Sequence, residues 1–261
     1  MTIAVIGNGS IAGYVAAQLR RSGDGPAAFI TRAGSTRAQT VPDAAYVGSV
    51  AELPSEVKLL IDCAGHSGLA DHGPDALKAG LSVITLSLGA LADETLATEL
   101  QIAAKAGGSR LHLASGAIGA LDALRAASVG EIGAVRYTGR KPPKGWLGSP
   151  AEDVLNLTNM GPAPATHFDG TARDAALTYP KNANVAAAVA LAGIGFDDTK
   201  VELIADPGIT ANIHVLEAEG AFGTFRFEIS GRSLPDNPKS SALAAMSAVA
   251  ALRQSQADIG F

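Results

Sequence analysis

Residues 2–12, TIAVIGNGSIA, decide how the first part of the chain folds. An apolar run leads into the pattern G-x-G-x-x-A and then into an amphipathic segment, which is typical of a strand, a tight turn and a helix. Gly7 permits the turn, Gly9 lets backbone approach a pyrophosphate, and Ala12 lets the helix pack close to the strand. The free N–H groups at the helix start favour the phosphates. We therefore predict dinucleotide contacts from Gly7, Asn8, Gly9, Ser10 and Ile11.

The pattern of a strand followed by a helix continues through the first 115 residues, where apolar runs alternate with helical patterns. This alternation is typical of a mainly parallel α/β sheet. We expect a Rossmann dinucleotide-binding domain over residues 1–115, with helices clearest at IAGYVAAQLRRS and ADETLATELQIAAKAGG. The predicted strands are TIAVIG, AAFIT, AAYVG, KLLIDCAG, LSVITLS and RLHLASG.

After Gly116 the pattern changes to a smaller α+β domain, which we place at residues 116–235. Antiparallel pairing is expected there, because a hairpin is predicted in IHVLEAEGAFGTFRFEI, residues 213–229. Residues 236–261 contain a helix that we expect to pack back on the first domain. The other predicted elements are the helices IGALDALRAASV and NVAAAVALAG and the strands AVRYTGRK and KVELIAD.

Composition limits the class of protein. The chain has 261 residues, 47% of them hydrophobic and 17% charged, so a substantial core is expected. A net charge of −5 without a basic run argues against nucleic-acid binding. One cysteine excludes an intrachain disulfide and a thiolate metal site, and it fits the reducing cytoplasm. We expect no metal.

Two segments bear on membranes. MTIAVIGNG lacks the basic start of a signal peptide, so we expect a cytoplasmic protein. The longest apolar run, VAAAVALAGIGF at 185–196, is too short to cross a bilayer, so no membrane partner is expected.

The second strand ends in FITRAGSTR, without the carboxylate that would bind the ribose 2′-OH of NAD. Arg32, Ser35, Thr36 and Arg37 stand there instead and suit a 2′-phosphate, so we expect NADP to be accepted alongside NAD. The alternative is that both arginines are solvated loop residues. Beyond the fourth strand, Ala64 and Gly65 are expected along the cofactor's path, with Cys63 a packed residue, and His66 either caps its helix or approaches the nicotinamide ring.

His214 raises a question of its own within GITANIHVL. Alternation places Ile213 and Val215 on an apolar face and His214 on the opposite, polar face. From the spacing alone, this imidazole either faces solvent or transfers protons in an active site.

Cations offer candidates for an anionic substrate. Lys181 precedes a helix start in YPKNANVAAA, where Asn182 is alternatively an ordinary N-cap. Arg140 and Lys141 lie in GRKPPKGW, as a clamp for an anion or as plain surface charge. The remaining histidines have no partner that can be read from the sequence, and we interpret them as structural or surface residues. They are His72, His112 and His167.

Several segments, in one order along nearly the whole chain, resemble the L-aspartate dehydrogenase family. They include GNGSIAGYVA, DCAGHSGLADHGPDALKAG, SGAIGALDAL, YTGRKPP, FDGTARDAALTYPKNANVAAAVALAG, DPGITANIHVLEAEGAFGTFRFEISG and LPDNPKSSALAAMS. By this resemblance the family's catalytic histidine falls on His214, and two cofactor contacts fall on Ala117 and Asn184.

The resemblance also implies a reaction. L-aspartate is oxidised reversibly by NAD or NADP to iminosuccinate, which water converts to oxaloacetate and ammonia. A homodimer and a role in NAD biosynthesis or aspartate catabolism are implied as well. The alternatives are an imine reductase or dehydrogenase for another amino-acid-derived dicarboxylate, and a dinucleotide-sensing module without catalysis.

Overall fold

The structure is a computed structural model that describes residues 1–32, 35, 41–235 and 237–259. It divides into two compact units. Unit 1 comprises Met1–Gly116 and the segment from Ala244 onward, and unit 2 comprises Ala117–Leu243. The sequence placed the end of the second domain at residue 235, whereas unit 2 continues to Leu243.

Unit 1 is built on a six-stranded, all-parallel sheet in the order β3-β2-β1-β4-β5-β6. Its central strands are near-continuous apolar runs because both faces of the sheet are buried. The strand order reverses between β1 and β4, which leaves a crevice at the carboxyl ends of these strands. The Rossmann prediction is confirmed. The strands are β1 (Thr2–Ile6), β2 (Ala28–Ile30), β3 (Ala45–Val47), β4 (Val57–Asp62), β5 (Ser82–Thr85) and β6 (Leu111–Leu113).

In the described part of unit 1, three α-helices lie between these strands: α1 (Ser10–Arg21), α2 (His66–Lys78) and α3 (Glu94–Gly107). Helix α3 shows why its ends were readable from sequence. The Asp93 side chain accepts hydrogen bonds from the Thr95 and Leu96 amides, and Gly108 ends the helix in a left-handed conformation with φ +61°.

Unit 2 is built on a five-stranded sheet in the order β11-β10-β7-β9-β8. Only antiparallel pairing was predicted, and this is wrong for β7 and β9, which pair in parallel. The reason is that one strand and two α-helices lie between β7 and β9, so the chain enters both strands in the same direction. That strand and the first of the two helices were not predicted. The strands are β7 (Ile132–Lys141), β8 (Ala165–Thr171), β9 (Lys200–Ala205), β10 (Asn212–Gly220) and β11 (Gly223–Gly231).

The helices of unit 2 are α4 (Leu121–Ala127), α5 (Ala172–Thr178) and α6 (Asn184–Ala192), and α5 and α6 contact the sheet. One face of the sheet is buried and carries Val135, Tyr137, Leu203 and Leu216. We call it the covered face. The opposite face exposes charged side chains. A short pair of strands, β12 (Ser233–Leu234) and β13 (Asn237–Ser241), ends the unit.

The last helix, α7 (Ala242–Gln256), returns to unit 1. Its residues Ala248, Val249 and Leu252 pack in one apolar cluster with Ile3 of β1 and Leu59 of β4. The helix therefore completes the core beneath the nucleotide-binding sheet.

Within the described ranges, no helix is both long enough and apolar enough to cross a bilayer.

Candidate active site

The turn between β1 and α1 has the geometry that a pyrophosphate requires. Gly7 has φ +93°, and a Cβ there would lie 3.1 Å from the Cβ of Ala64. Gly9 is the N-cap of α1 and supplies no side-chain cap, so the first amides of the helix, beginning at Ser10 and Ile11, are left for a ligand. The residues present fit a bound dinucleotide.

A crevice of about 520 Å³ opens at this turn and is lined in part by Gly7, Asn8, Arg32 and Ala64. The Asn8 amide donates to Ser35 Oγ at 3.2 Å, and the Arg32 guanidinium donates to Ser67 Oγ at 3.2 Å. Arg32 thus lies at the wall of the crevice, and its contact with a 2′-phosphate stays a prediction. Thr36 and Arg37 lie outside the described residues.

A buried carboxylate, which sequence analysis missed, fixes the strand ends beside the crevice. Asp62 is 0% exposed and accepts from Thr85 Oγ1 at 2.7 Å, Ser87 Oγ at 2.6 Å and the Ala64 amide at 2.9 Å. Burial raises the pKa of Asp62. These bonds join the ends of β4 and β5 and orient the Ala64–Gly65 backbone, where Gly65 is the N-cap of α2 and has φ +81°.

Cys63 follows this carboxylate. Burial, together with the neighbouring charge of Asp62, raises the pKa of its thiol well above the ordinary value. A thiol held protonated is a poor nucleophile, which favours the interpretation of Cys63 as a packed residue.

Unit 2 contains a buried cation, Lys141, at the end of β7. Its side chain is on the covered face and the residue is 9% exposed. Nζ donates to Asn182 Oδ1 at 2.8 Å and lies 4.6 Å from the centroid of the Trp146 ring. Among the described residues, no carboxylate oxygen lies within 4.0 Å of Nζ. Burial lowers the pKa of Lys141 to about 8.

His167 joins the same cluster, although no signal in the sequence pointed to it. Its ring lies edge-on to Trp146 at 4.3 Å between centroids, and its Nδ1 is 3.1 Å from the hydroxyl of Tyr179. The other ring nitrogen, Nε2, is buried without a hydrogen-bond partner among the described residues. Burial and the charge of Lys141 lower the pKa of His167 to about 4. A buried polar atom of this kind is costly unless a ligand pairs with it.

His214 lies opposite Ile213 and Val215, as predicted, but not on a polar face. It shares the covered face with Leu216 and Ala218 of β10, which are 0% and 5% exposed, and is itself 4% exposed. The apolar neighbours Ile213 and Val215 lie on the other face. Therefore His214 is not a solvent-exposed residue.

The environment of His214 holds the imidazole neutral. Nδ1 lies 2.7 Å from the Tyr137 hydroxyl. Burial, with a contribution from the positive charge of Lys141, lowers the pKa of His214 to about 3. At neutral pH the ring therefore has a free electron pair on one nitrogen and can accept a proton.

The other predicted cations are placed differently from Lys141. Arg140 precedes Lys141 on the strand, so it points to the opposite face, where it forms an ion pair with Asp206. Lys181 is exposed. Asn182 is not the N-cap of α6, since Ala183 takes that position. The structure thus brings Lys141, and not Arg140, to the face that carries His214.

Comparison with known proteins identifies the family. Residues 122–255 match the family model "Aspartate dehydrogenase, C-terminal". Residues 7–114 match "Homoserine dehydrogenase, NAD binding domain". The L-aspartate dehydrogenase of Ruegeria pomeroyi is 57% identical over 98% of this chain and 93% of that protein. The chain belongs to the L-aspartate dehydrogenase family.

Other members agree with this assignment. The L-aspartate dehydrogenase of Pseudomonas aeruginosa is 52% identical over 74% of this chain and 72% of that protein. The crystal structure of aspartate dehydrogenase from Thermotoga maritima superposes with a TM-score of 0.79 at 26% identity, covering 100% of this chain and 99% of that one. The resemblance to the L-aspartate dehydrogenase family implied cofactor contacts from Ala117 and Asn184. Ala117 is buried at the start of unit 2, and Asn184 is the first residue of α6.

The low pKa of His214 predicts that acid lowers the free energy of unfolding of this member of the L-aspartate dehydrogenase family. Between the ordinary value of 6.5 and the folded value of about 3, the unfolded chain binds a proton that the folded protein does not. Stability should therefore fall as pH falls through this window, by about 1.4 kcal/mol per pH unit from this imidazole. Denaturant unfolding followed by Trp146 fluorescence measures it, and His214→Gln should show a shallower pH dependence. Equal slopes for the two proteins would contradict the effect.

Proposed function

We propose that the protein catalyses the reversible oxidative deamination of L-aspartate with NAD or NADP. The observation that carries this proposal is a buried cluster in unit 2 that contains Lys141 and His214. The charge of Lys141 helps to lower the pKa of His214, and Lys141 has no carboxylate partner among the described residues. An amino dicarboxylate requires such a pair, because it offers a negative charge to a cation and an ammonium proton to a base. The names of the relatives from Ruegeria pomeroyi and Pseudomonas aeruginosa support L-aspartate as the substrate.

Unit 1 would hold the cofactor, with the Gly7–Gly9 turn at the pyrophosphate and Arg32 near the adenosine ribose. When bound, the nicotinamide takes up the hydride that leaves the substrate Cα. Ala117 and Asn184 are further candidate contacts, supported by the family resemblance.

His214 would act as the base. Only a neutral amine can release hydride as its iminium forms, so the ammonium of the amino acid must first lose a proton. The neutral imidazole can accept that proton. Once this proton has been released to solvent, the imidazole can accept a second one from the water that attacks iminosuccinate and return it to the amine nitrogen, giving oxaloacetate and ammonia. A carboxylate bound beside Lys141 would offset the positive charge that lowers the pKa of His214, which strengthens the base when substrate is present.

Lys141 and His167 would bind a substrate carboxylate. The Lys141 ammonium brings the charge, and the orphaned Nε2 of His167 offers a hydrogen bond that the folded chain leaves unmade. Asn182 and the face of Trp146 hold the ammonium in place. Arg140 is paired with Asp206 and is not part of this proposal.

A spectrophotometric assay tests the function. Purified protein should reduce NAD or NADP with L-aspartate and should oxidise the reduced cofactor with oxaloacetate and ammonia. Glutamate, alanine and other amino acids serve as comparison substrates. Turnover of another acid but not aspartate would favour the imine reductase or dehydrogenase alternative, and cofactor binding without any turnover would favour a sensing module.

Arg32→Ala should weaken binding of NADP more than binding of NAD. The guanidinium lies at the crevice wall, and the 2′-phosphate, which NAD lacks, is the group that it suits. The loss expected for a charge-assisted hydrogen bond is about 10-fold or more in the dissociation constant for NADP. Fluorescence titration with both reduced cofactors measures this. An equal loss for both would show that Arg32 does not read the 2′-phosphate.

The physiological setting that we propose is a cytoplasmic homodimer that serves NAD biosynthesis or aspartate catabolism. The single cysteine supports a reducing compartment, and the family resemblance supports the dimer and the metabolic role. Light scattering coupled to size exclusion would test the dimer.

A further inference from the structure

Tyr137 contacts His214 on the covered face, and the reaction proposed above gives this tyrosine no role. Strands β7 and β10 are antiparallel neighbours, with Tyr137 opposite Leu216 and Gly139 opposite His214. Directly opposite residues point to the same side of a sheet. Tyr137, Gly139 and His214 therefore share one face, with the glycine between the two rings.

Because Gly139 has no side chain, the rings of Tyr137 and His214 can come into contact. A Cβ at this position would lie 2.7 Å from Tyr137 Oη and 3.2 Å from Tyr137 Cζ, closer than side-chain contacts allow. Its φ does not lie in the left-handed region, so the backbone does not require glycine. The tyrosine ring lies over the bare backbone of Gly139, and its hydroxyl reaches Nδ1 of His214 at 2.7 Å.

We propose that Tyr137 is a positioning residue for His214, and that Gly139 provides the space that allows it. The hydroxyl fixes the imidazole through Nδ1 and leaves Nε2 for the substrate. This inference rests on the function proposed above and identifies two further residues on which the base depends.

A phenol suits this role because it can accept or donate a hydrogen bond. While Nε2 has its free electron pair, Nδ1–H donates to Tyr137 Oη. When Nε2 takes the substrate's proton, Nδ1–H still donates to the same oxygen, so no second proton moves. Burial raises the pKa of Tyr137 above its ordinary value, so the hydroxyl stays protonated and neutral throughout.

The hydroxyl also differs from the carboxylate that holds histidine in many catalytic sites. A carboxylate would raise the pKa of the imidazole, whereas a neutral phenol orients the ring without adding charge. Consequently the ring stays unprotonated at neutral pH and its orientation does not depend on an ion pair.

Two variants remove the contact in different ways. Tyr137→Phe deletes only the hydroxyl, and Gly139→Ala keeps the hydroxyl but displaces the ring. Both should lower kcat for aspartate about 10- to 100-fold, the range for a buried hydrogen bond left unmade, with a smaller change in KM. Gly133→Ala, on the same strand, is the matched control: its Cβ would lie 3.6 Å from the nearest atom, in ordinary contact, so kcat should not change.

A double-mutant cycle separates positioning from general destabilisation. In a His214→Ala background, Tyr137→Phe should have no further effect on kcat, because the group that it orients is gone. A full additional loss in that background would overturn the proposal, and so would unchanged kcat in both single variants.

A second readout does not depend on turnover. Long-range nitrogen–proton NMR spectra of isotope-labelled histidine report which ring nitrogen carries the proton. The wild-type protein should show one tautomer for His214, with Nδ1 protonated, and Tyr137→Phe should show a mixture. If the wild type turns over no aspartate, the proposed function fails while these spectra still decide the positioning role. An identical tautomer in both proteins would contradict it.

Discussion

Replacing His214 with alanine should lower kcat by about 10²- to 10⁴-fold, the range expected for loss of a general acid–base. The reason is geometric as well as chemical: the ring is 4% exposed, is held at Nδ1 by Tyr137 and is neutral at working pH. Dissociation constants for NAD and NADP should stay near their wild-type values, because the crevice of unit 1 is not altered. Steady-state kinetics and fluorescence titration measure the two quantities.

A matched control is available in His112→Ala, which removes a partly buried imidazole from β6 of unit 1. Its kcat should remain close to the wild type. Unchanged kcat in His214→Ala would refute the role of His214 as the base.

Replacing Lys141 with methionine should raise KM for aspartate about 10²- to 10³-fold, because a buried charge pair loses one partner. Methionine keeps much of the side-chain volume against Trp146 but has no charge. The dissociation constant of succinate, a dicarboxylate without the amine, should rise by a similar factor. Calorimetric titration of succinate measures this without turnover.

The affinity for succinate should also depend on pH. Since the pKa of Lys141 is about 8, its positive charge is present below that pH and is lost as pH rises through it. Succinate affinity of the wild type should fall across this range, and that of Lys141→Met should not follow it. Lys144→Met, which neutralises an exposed lysine three positions later, is the control. If Lys144→Met weakens succinate as much as Lys141→Met, the buried ammonium is not the binding group.

The dinucleotide turn was predictable because its signal is local. Gly7, Gly9 and Ala12 all lie within one strand, turn and helix, so their spacing alone indicates the geometry. The Asp62 network was missed because Asp62, Thr85 and Ser87 meet only when two strands pair in the sheet.

The hairpin of residues 213–229 was predicted, but its inward face was not. Three successive residues, His214, Val215 and Leu216, are all buried, so alternation of apolar residues does not tell the two faces apart there. The pairing of Leu216 with Tyr137 identifies the covered face, and that pairing joins positions far apart in sequence.

The residues proposed to hold a substrate carboxylate show the same limit more strongly. Lys141, Trp146, His167 and Asn182 come from a strand end, a loop, an unpredicted strand and the approach to a helix. From the sequence, Lys141 was interpreted as an anion clamp or as surface charge, and His167 as a structural or surface residue. Asn182 was an alternative N-cap, and Trp146 was given no role. Contacts between distant positions bring them together: Lys141 and His167 both lie against the Trp146 ring, and Asn182 accepts a hydrogen bond from Lys141.

Helix α7 gives the chain an order of assembly during translation. Its residues Ala248, Val249 and Leu252 close the core around Ile3, so the nucleotide-binding half stays unfinished while the ribosome is still adding residues 117–243. Unit 2, being contiguous, is free to fold as it emerges from the exit tunnel, before the N-terminal strands have their last partner. A premature stop codon just after Leu243 would accordingly damage the beginning of the protein more than the part next to the break.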